Sequence, residues 1–401
     1  MPTWPRPESL LPPRLVAALD AALAGDIARA AELRAGTDGR DPLAADVARL
    51  VDALVALQRS DASRARRDLR RLVARADPAI ALAAAGTLVD DALARRRLAS
   101  ALPVLHGLRN ARLDAAARLW IEALRLAVAL QRRGTLPEGS LEALERRLHR
   151  RLPAAVHGAV HLLRAESALL AGDLAAAVVT QREARPHVRS SGLATLGRRL
   201  DVLSRQLRAP FADVEDWEEP LRTVTREELV DLEDRPWRLW VDALHRRVRH
   251  RRRSGGAVTT VELGAAPLDW QTLELVVHAA PHQVTWAQAV GALQVADAAA
   301  ARERVENLRA ALGAAADFIS MSNTSYGLVT ARAVIVLPPA SLPPLELRLL
   351  GRLAVKPRAG AAALVDRDAA RRTIVGHLAR LRDAGYVRVV GAGNEQRYVL
   401  I

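Results

Sequence analysis

Apolar positions fall on one side of a helix through most of the first half of the chain. Leu43, Val47, Leu50, Val51 and Leu54 recur at the spacing that buries a single stripe. Amphipathic stretches of this kind run from about Leu10 to Leu207, with few strand signals. They are interrupted where a small or turn-forming residue precedes an aspartate: AGD ending at Asp26, RSD at Asp61 and AGD at Asp173. Aspartate at such a break caps the next helix, because its carboxylate accepts from backbone N–H groups that have no partner in the first turn. The breaks are regularly spaced. Asp61 lies 35 residues after Asp26, and Asp173 lies three further steps of about 37 on, with intermediate breaks expected near Asp91 and Gly139.

Two helices per step of this length resemble tetratricopeptide arrays. LLAGDLAAAVVTQREA (169–184) is similar to the second half of such a repeat. Ala177, four residues after Asp173, stands where that family needs a small residue between close helices. Ala30 and Ala65 share that offset from Asp26 and Asp61, and Ala165 and Ala184 fit other small positions. The family's aromatic positions are mostly Leu or Ala here. The resemblance implies an α-solenoid over 1–210 whose concave surface takes a protein or peptide partner. The alternative is a scaffold that spaces or dimerises the rest, as a homodimer.

Charge changes abruptly after residue 210. Residues 213–234 hold ten acids against two arginines, and 235–257 hold eight arginines against one aspartate. Pro236 is placed to start a helix, with Trp237, Trp240, Val241, Leu244 and Val248 on one stripe. That helix would end in Arg251, Arg252 and Arg253 before Ser254-Gly255-Gly256. Residues 211–257 therefore read as an acidic-to-basic linker helix region. Its basic end either lies beside nucleic acid or complements the helix dipole and the acidic segment.

From 258 to 338 the pattern alternates strand and helix. VTTVEL (258–263) reads as a strand, LDWQTLELVVHAAP (268–281) as a first helix and TWAQAVGAL, capped by Thr285, as a second. DAAAARERVENLRAALG (297–313) follows as a third, with Ala301, Val305, Leu308 and Leu312 inward. FISM, SNTS and YGLV (318–329) suggest a hairpin. The order, with NLRAALG and SYGLV as local echoes, resembles the winged-helix effector domain of response-regulator transcription factors. That resemblance implies a third helix in the major groove and a hairpin near the minor groove. The SNTS turn has no cation, and Arg302, Arg304 and Arg309 alternate with Glu303 and Glu306. Protein docking therefore stands beside base reading for this module. No phosphoacceptor receiver domain precedes it; the helical array stands in that place.

After an expected hinge, VLPPASLPP (336–344), residues 341–401 repeat the theme. LELRLLGRLAV (345–355) reads as a helix and AGAAALV (359–365) as a short second one. DRDAARRTIVGHLARLRDAG (366–385) reads as a third, with Ile374, Leu378 and Leu381 inward. YVRVVGAGNEQRYVLI gives two strands around Gly391-Ala392-Gly393-Asn394. TIVGHLARLRDAGYVRV is similar to the third helix and wing of compact bacterial winged-helix repressors. Carried over, Arg371, Arg372, Thr373 and Gly376 would face a DNA groove, with Arg380 further along and Arg388 and Arg397 beside the wing. Arginine suits that role through its planar donors. The alternative is a dimerisation or docking module.

Composition narrows the chemistry. Half of the 401 residues are hydrophobic yet only 3% are aromatic, so Ala, Leu and Val must pack between close helices. The formal charge of +14 favours polyanionic partners such as double-stranded DNA. With no cysteine, disulfides and thiolate chemistry are excluded. A lysine-bearing phosphate loop and a GxSxG elbow are both missing. His157 and His161 share a helix face, but no glutamate intervenes and no third ligand is obvious, so no metal site is expected. Glu218-Glu219 and Glu227-Glu228 point in different directions on a helix and read as solvated. Neither a cofactor nor an enzyme activity is expected. MPTWPRPESLLPPRL lacks the order of a secretory signal, and no long uncharged apolar run crosses a membrane. The sequence thus reads as a mainly α, cytoplasmic, bacterial DNA-binding transcriptional regulator. It would join an α-solenoid to two winged helix-turn-helix domains; the rival is a non-enzymatic adaptor that uses the same parts for protein docking.

Overall fold

Turns of glycine followed by aspartate set the helix pairs of the first half. At Gly25 the backbone is left-handed (φ 83°), and the Asp26 carboxylate accepts from the Arg29 N–H at 3.1 Å. The same device recurs at Gly172 (φ 82°) and Asp173, which accepts from Ala176 at 3.0 Å. Glycine takes this conformation without a Cβ clash, which is why it ends these helices. The computed structural model describes residues 12–35, 41–59, 62–75, 77–94, 98–108, 114–216, 219, 221–251, 256–329, 331–365, 370–390 and 396–401. The chain divides into two compact units, Met1–Arg205 and Gln206–Ile401.

The first unit is helical. In order come α1 (Pro13–Ala24), α2 (Ile27–Arg34), α3 (Pro42–Arg59), α4 (Ala62–Arg75), α5 (Pro78–Ala94) and α6 (Ala101–Gly107). They are followed by α7 (Ala115–Arg133), α8 (Ser140–Glu145), α9 (Ala154–Ala171), α10 (Leu174–Ser191) and α11 (Ala194–Arg208), within which the boundary falls. Helices α1 and α2, α3 and α4, and α9 and α10 pack as consecutive pairs. The alanines expected between close helices, Ala30, Ala65, Ala165, Ala177 and Ala184, are all fully buried. Asp61 lies outside the described residues. Gly139 does mark a break, as the left-handed residue before α8. Asp91 does not: it sits within α5, where no turn-forming residue precedes it, and pairs with Arg66 of α4 at 2.8 Å. Among the described residues no helix is long and apolar enough to cross a membrane.

The unit also contains a buried charge cluster. Arg199 of α11 donates to Glu166 of α9 from Nε and Nη2, at 2.9–3.2 Å, while its Nη1 lies 3.6 Å from Asp90 of α5. Burial raises the Asp90 pKa, with the Arg199 charge opposing it. Burial works against charge on Arg199 too, but Glu166 and Asp90 outweigh it and raise its pKa.

The second unit begins with β1 (Pro210–Asp216), β2 (Arg222–Thr225), α12 (Arg226–Glu233), β3 (Leu239–Asp242), β4 (Arg247–Arg251) and β5 (Val258–Glu262). Next come α13 (Pro267–Ala279), β6 (Val284–Thr285), α14 (Trp286–Leu293), α15 (Ala298–Leu312), β7 (Ile319–Met321), β8 (Ser325–Leu328) and β9 (Ala333–Leu337). The chain finishes with α16 (Pro344–Val355), α17 (Arg371–Asp383), β10 (Val387–Val390) and β11 (Arg397–Leu400).

The described part of residues 236–253 is not a helix. Residues 239–251 form the β3–β4 hairpin, in register Leu239↔His250 through Asp242↔Arg247. The apolar stripe is buried as expected, with Trp237, Trp240, Val241, Leu244 and Val248 all at 4% exposure or less. But Arg247-Val248-Arg249-His250-Arg251 alternates out and in, which is the period of a strand. The turn is fixed by Asp242, whose carboxylate accepts from the His245 N–H, and by the left-handed Arg246. The region expected as a linker therefore supplies four strands of a six-stranded sheet, ordered β2-β1-β9-β3-β4-β5 with β5 at its edge. Val336 and Leu337, expected in a hinge, belong to β9, parallel to β3 and antiparallel to β1. Its run AVIVL is apolar because a central strand is buried on both faces.

Residues 267–328 are inserted between β5 and β9. The helices α13, α14 and α15 and the three-stranded sheet β6-β8-β7 follow the expected order, and Thr285 closes a capping box with Gln288. Trp270, Leu273, Val276, Val305, Leu308 and Tyr326 share one core with Val241 and Ile335 of the large sheet. In the terminal segment, α16, a short 3-10 turn at Ala361–Leu364, α17 and the β10–β11 hairpin stand where a three-helix-and-wing pattern was expected. The second element is a single 3-10 turn rather than a helix, and its four residues AAAL bury only Leu364.

Candidate nucleic-acid interface

Helix α17 buries Ile374, Leu378 and Leu381 and turns its other side outward. Arg371, Arg372, Thr373, Val375 and Gly376 are exposed on its first turns. No hydrogen bond or ion pair engages Arg371 or Arg372 among the described residues, and a Cβ built on Gly376 meets nothing within 4 Å. This face is therefore open, flat at one position and cationic at its start.

The remaining predicted residues are spread differently. Arg380 keeps 63% of its side chain exposed while its Nε donates to buried Glu346 of α16 at 2.9 Å. The same Glu346 oxygen pairs with His377 Nδ1 at 2.9 Å, so Arg380 is half committed to fixing α17 on α16. Arg388 on β10 is half-buried; burial lowers its pKa, and the like charge of Arg358 lowers it further. Arg397 on β11 is exposed, with one donor on the Gln396 carbonyl at 3.2 Å. Arg251 is drawn inward. Its guanidinium lies 4.0 Å from the Trp237 ring centre and points donors at the Glu233 and Arg235 carbonyls at the end of α12. Arg252 and Arg253 lie outside the described residues.

The insert between β5 and β9 offers a weaker face. On α15, Arg302 donates to the Asn323 carbonyl of the β7–β8 turn and covers Trp286, while Arg309 reaches the Met321 sulfur at 3.7 Å. Glu303 and Glu306 stand exposed beside them. The turn itself carries no cation of its own and is tied from within by Ser322, which bonds Thr324 and Ser325.

Two other features lie away from this face. An open cleft of about 930 Å³ runs between α13, α16 and the loops of the large sheet, lined by leucines with Arg246, Arg348 and Lys356 among them. Arg352 on the same wall already donates to the Leu364 carbonyl at 2.9 Å. In the first unit, His157 and His161 are joined by His187 of α10, a third imidazole the sequence reading did not connect with them. Burial lowers the pKa of both His161 and His187, and the neighbouring imidazoles add to it. A signal was available: Glu183 and His187 have the same four-residue spacing on α10 as the two histidines on α9. No family model, no curated protein and no solved structure matches this chain.

Proposed function

We propose that the chain is a DNA-binding transcriptional regulator of the bacterial cytoplasm. In this reading residues 341–401 form a winged-helix domain that meets double-stranded DNA, and the helices of 1–210 form a tetratricopeptide-like solenoid that docks a protein partner. The open arginine face at the start of α17 carries the reading. Arg371 and Arg372 are free to neutralise phosphates or bridge guanine edges, and Gly376 lets a backbone approach closely. Eleven basic residues against five acids in 341–401 favour the same partner. The test is binding of purified protein to duplex DNA across a salt series, alongside Arg371→Ala/Arg372→Ala. Binding should be salt-sensitive, and the double substitution should reduce the slope of log K against log salt by about two units. Failure to bind at low salt would remove the reading.

A second reading, a non-enzymatic adaptor, draws on the insert 267–328. Arg302 and Arg309 of α15 are used within the module and its charge balance is acidic, so this face suits a protein better than phosphate.

A further inference from the structure

Helices α9 and α10 turn back on each other at Gly172-Asp173 and run antiparallel, which brings position 157 opposite 187. Gly158 marks how closely they approach: a Cβ there would sit 3.3 Å from the Val188 backbone nitrogen. Into this narrow contact the chain places three imidazoles. The ring centres of His157 and His161 lie 5.0 and 5.3 Å from that of His187, with planes within 19° of parallel. One ligand nitrogen from each lies within 4.8 Å of the others. We propose that His157, His161 and His187 bind a divalent transition-metal ion of the zinc class, clamping α9 to α10.

The surrounding contacts favour ligation over simple packing. The Nε2 of His157 faces the His149 carbonyl at 3.1 Å. A carbonyl only accepts, so Nε2 carries the hydrogen and Nδ1 keeps its lone pair, the outer contact that orients metal-binding histidines. The Nδ1 of His161 is buried without a hydrogen bond, and Glu183 Oε2 stands 3.7 Å away. A buried nitrogen left in this way is costly unless something fills its lone pair. Zinc holds nitrogen at about 2.0–2.1 Å, so tetrahedral donors sit about 3.3 Å apart. The donors must therefore close by about an ångström or so, which half-buried imidazoles achieve by ring rotation. Three histidines leave a fourth position for water or for Glu183, whose side chain is 47% exposed. Imidazole donors select zinc, copper, nickel or cobalt over magnesium and calcium.

The untagged full-length chain, stripped with chelator, is titrated with Zn²⁺ alone by calorimetry and with Co²⁺ by visible absorption. Mg²⁺ and the variant His106→Ala, at an exposed histidine outside the cluster, serve as controls. One equivalent of Zn²⁺ should bind and raise the melting temperature, and Co²⁺ should give the visible bands of a tetrahedral nitrogen site. His187→Asn should weaken Zn²⁺ binding at least tenfold while leaving the helical circular dichroism of the apo-protein unchanged; His106→Ala should bind as the parent does. Absence of stoichiometric Zn²⁺ binding, or equal affinity in His187→Asn and the parent, overturns the site. If His187→Asn does not fold, His157→Asn gives the same reading from the other helix.

Discussion

Arg226 donates from Nη2 to the Gly385 carbonyl at 2.8 Å, across 159 positions of chain. The same guanidinium donates to Gln206 and Ala384 carbonyls and lies 3.8 Å from the Phe211 ring centre. Phe211 in turn stacks on Tyr386, whose hydroxyl donates back to the Phe211 carbonyl at 2.9 Å. One buried side chain thus ties the entry of the large sheet to the turn after α17, the helix that presents the arginine face. Among the described residues no carboxylate pairs with it, and burial pushes its pKa down to about 10.

Removing that guanidinium leaves three carbonyls without donors beside a void. Arg226→Ala should cost about 3 kcal/mol, by the desolvation of unpaired acceptors and the lost packing on Phe211. Urea unfolding of the full chain measures it. Arg226→Lys should recover only part, because one ammonium cannot reach acceptors on both sides of the ring. A lysine variant as stable as the parent would show that the planar fork is not what matters.

Arg199 makes the opposite case, a buried cation between two carboxylates. Arg199→Met leaves Glu166 and Asp90 facing each other in the core, at about 3–5 kcal/mol for a broken buried pair. The loss should shrink as pH falls. Asp90 has a raised pKa in the folded state, so protonation below that value removes the buried charge and restores stability. Melting temperatures of parent and variant at pH 8 and pH 5 give the comparison, and a pH-independent difference would contradict the account.

Asp242 and His245 predict a second pH dependence. The His245 Nδ1 meets Asp242 Oδ2 at 2.8 Å while Nε2 meets the Ile401 main-chain oxygen at 3.1 Å, so both ring nitrogens face acceptors. Burial opposes charge on the ring, but Asp242 outweighs it and raises the pKa above 6.5, with Arg247 pulling the other way. Burial likewise opposes charge on Asp242, yet His245 and Arg247 hold its pKa well below 3.8. The aspartate's contribution is present above 3.8 and lost as pH falls through its depressed value. The histidine's is present below 6.5 and lost as pH rises through its raised value. Together they stabilise most between about pH 4 and 6.5. The stability gap between parent and His245→Asn should be wider at pH 5.5 than at pH 8.5.

How much of this was legible in the sequence depends on how local each cause is. The buried faces of α15 and α17 could be read residue by residue, because helical spacing and burial are set within a few turns. The 239–251 hairpin misled because Trp237, Trp240, Val241, Leu244 and Val248 fit a helical stripe while Arg247 to Arg251 alternate at period two. Strand β9 had no local signal for its place: its partners β1 and β3 lie about a hundred residues earlier, and parallel pairing needs a long crossover. The α17 arginine face was foreseen by position, but the inward turn of Arg251 was not, since it depends on Trp237 across the hairpin. His187 was missed for the same reason. Its neighbours are on another helix, and only the α9–α10 turn brings them together.

Gly376 separates folding from recognition on the α17 face. A glycine within an exposed helix costs about 0.5–1 kcal/mol relative to alanine, and here a Cβ meets nothing within 4 Å. Gly376→Ala should therefore raise the melting temperature of the full chain. If the face meets DNA closely, the added methyl occupies space the backbone of the partner needs, and affinity should fall in the more stable variant. Stability and duplex binding are to be measured on the same preparation. A variant that is more stable and binds DNA as tightly as the parent would show that Gly376 faces solvent alone, and would move the contact surface towards Arg371 and Arg372. A variant that is less stable would show that the glycine is strained in a way this helix does not reveal.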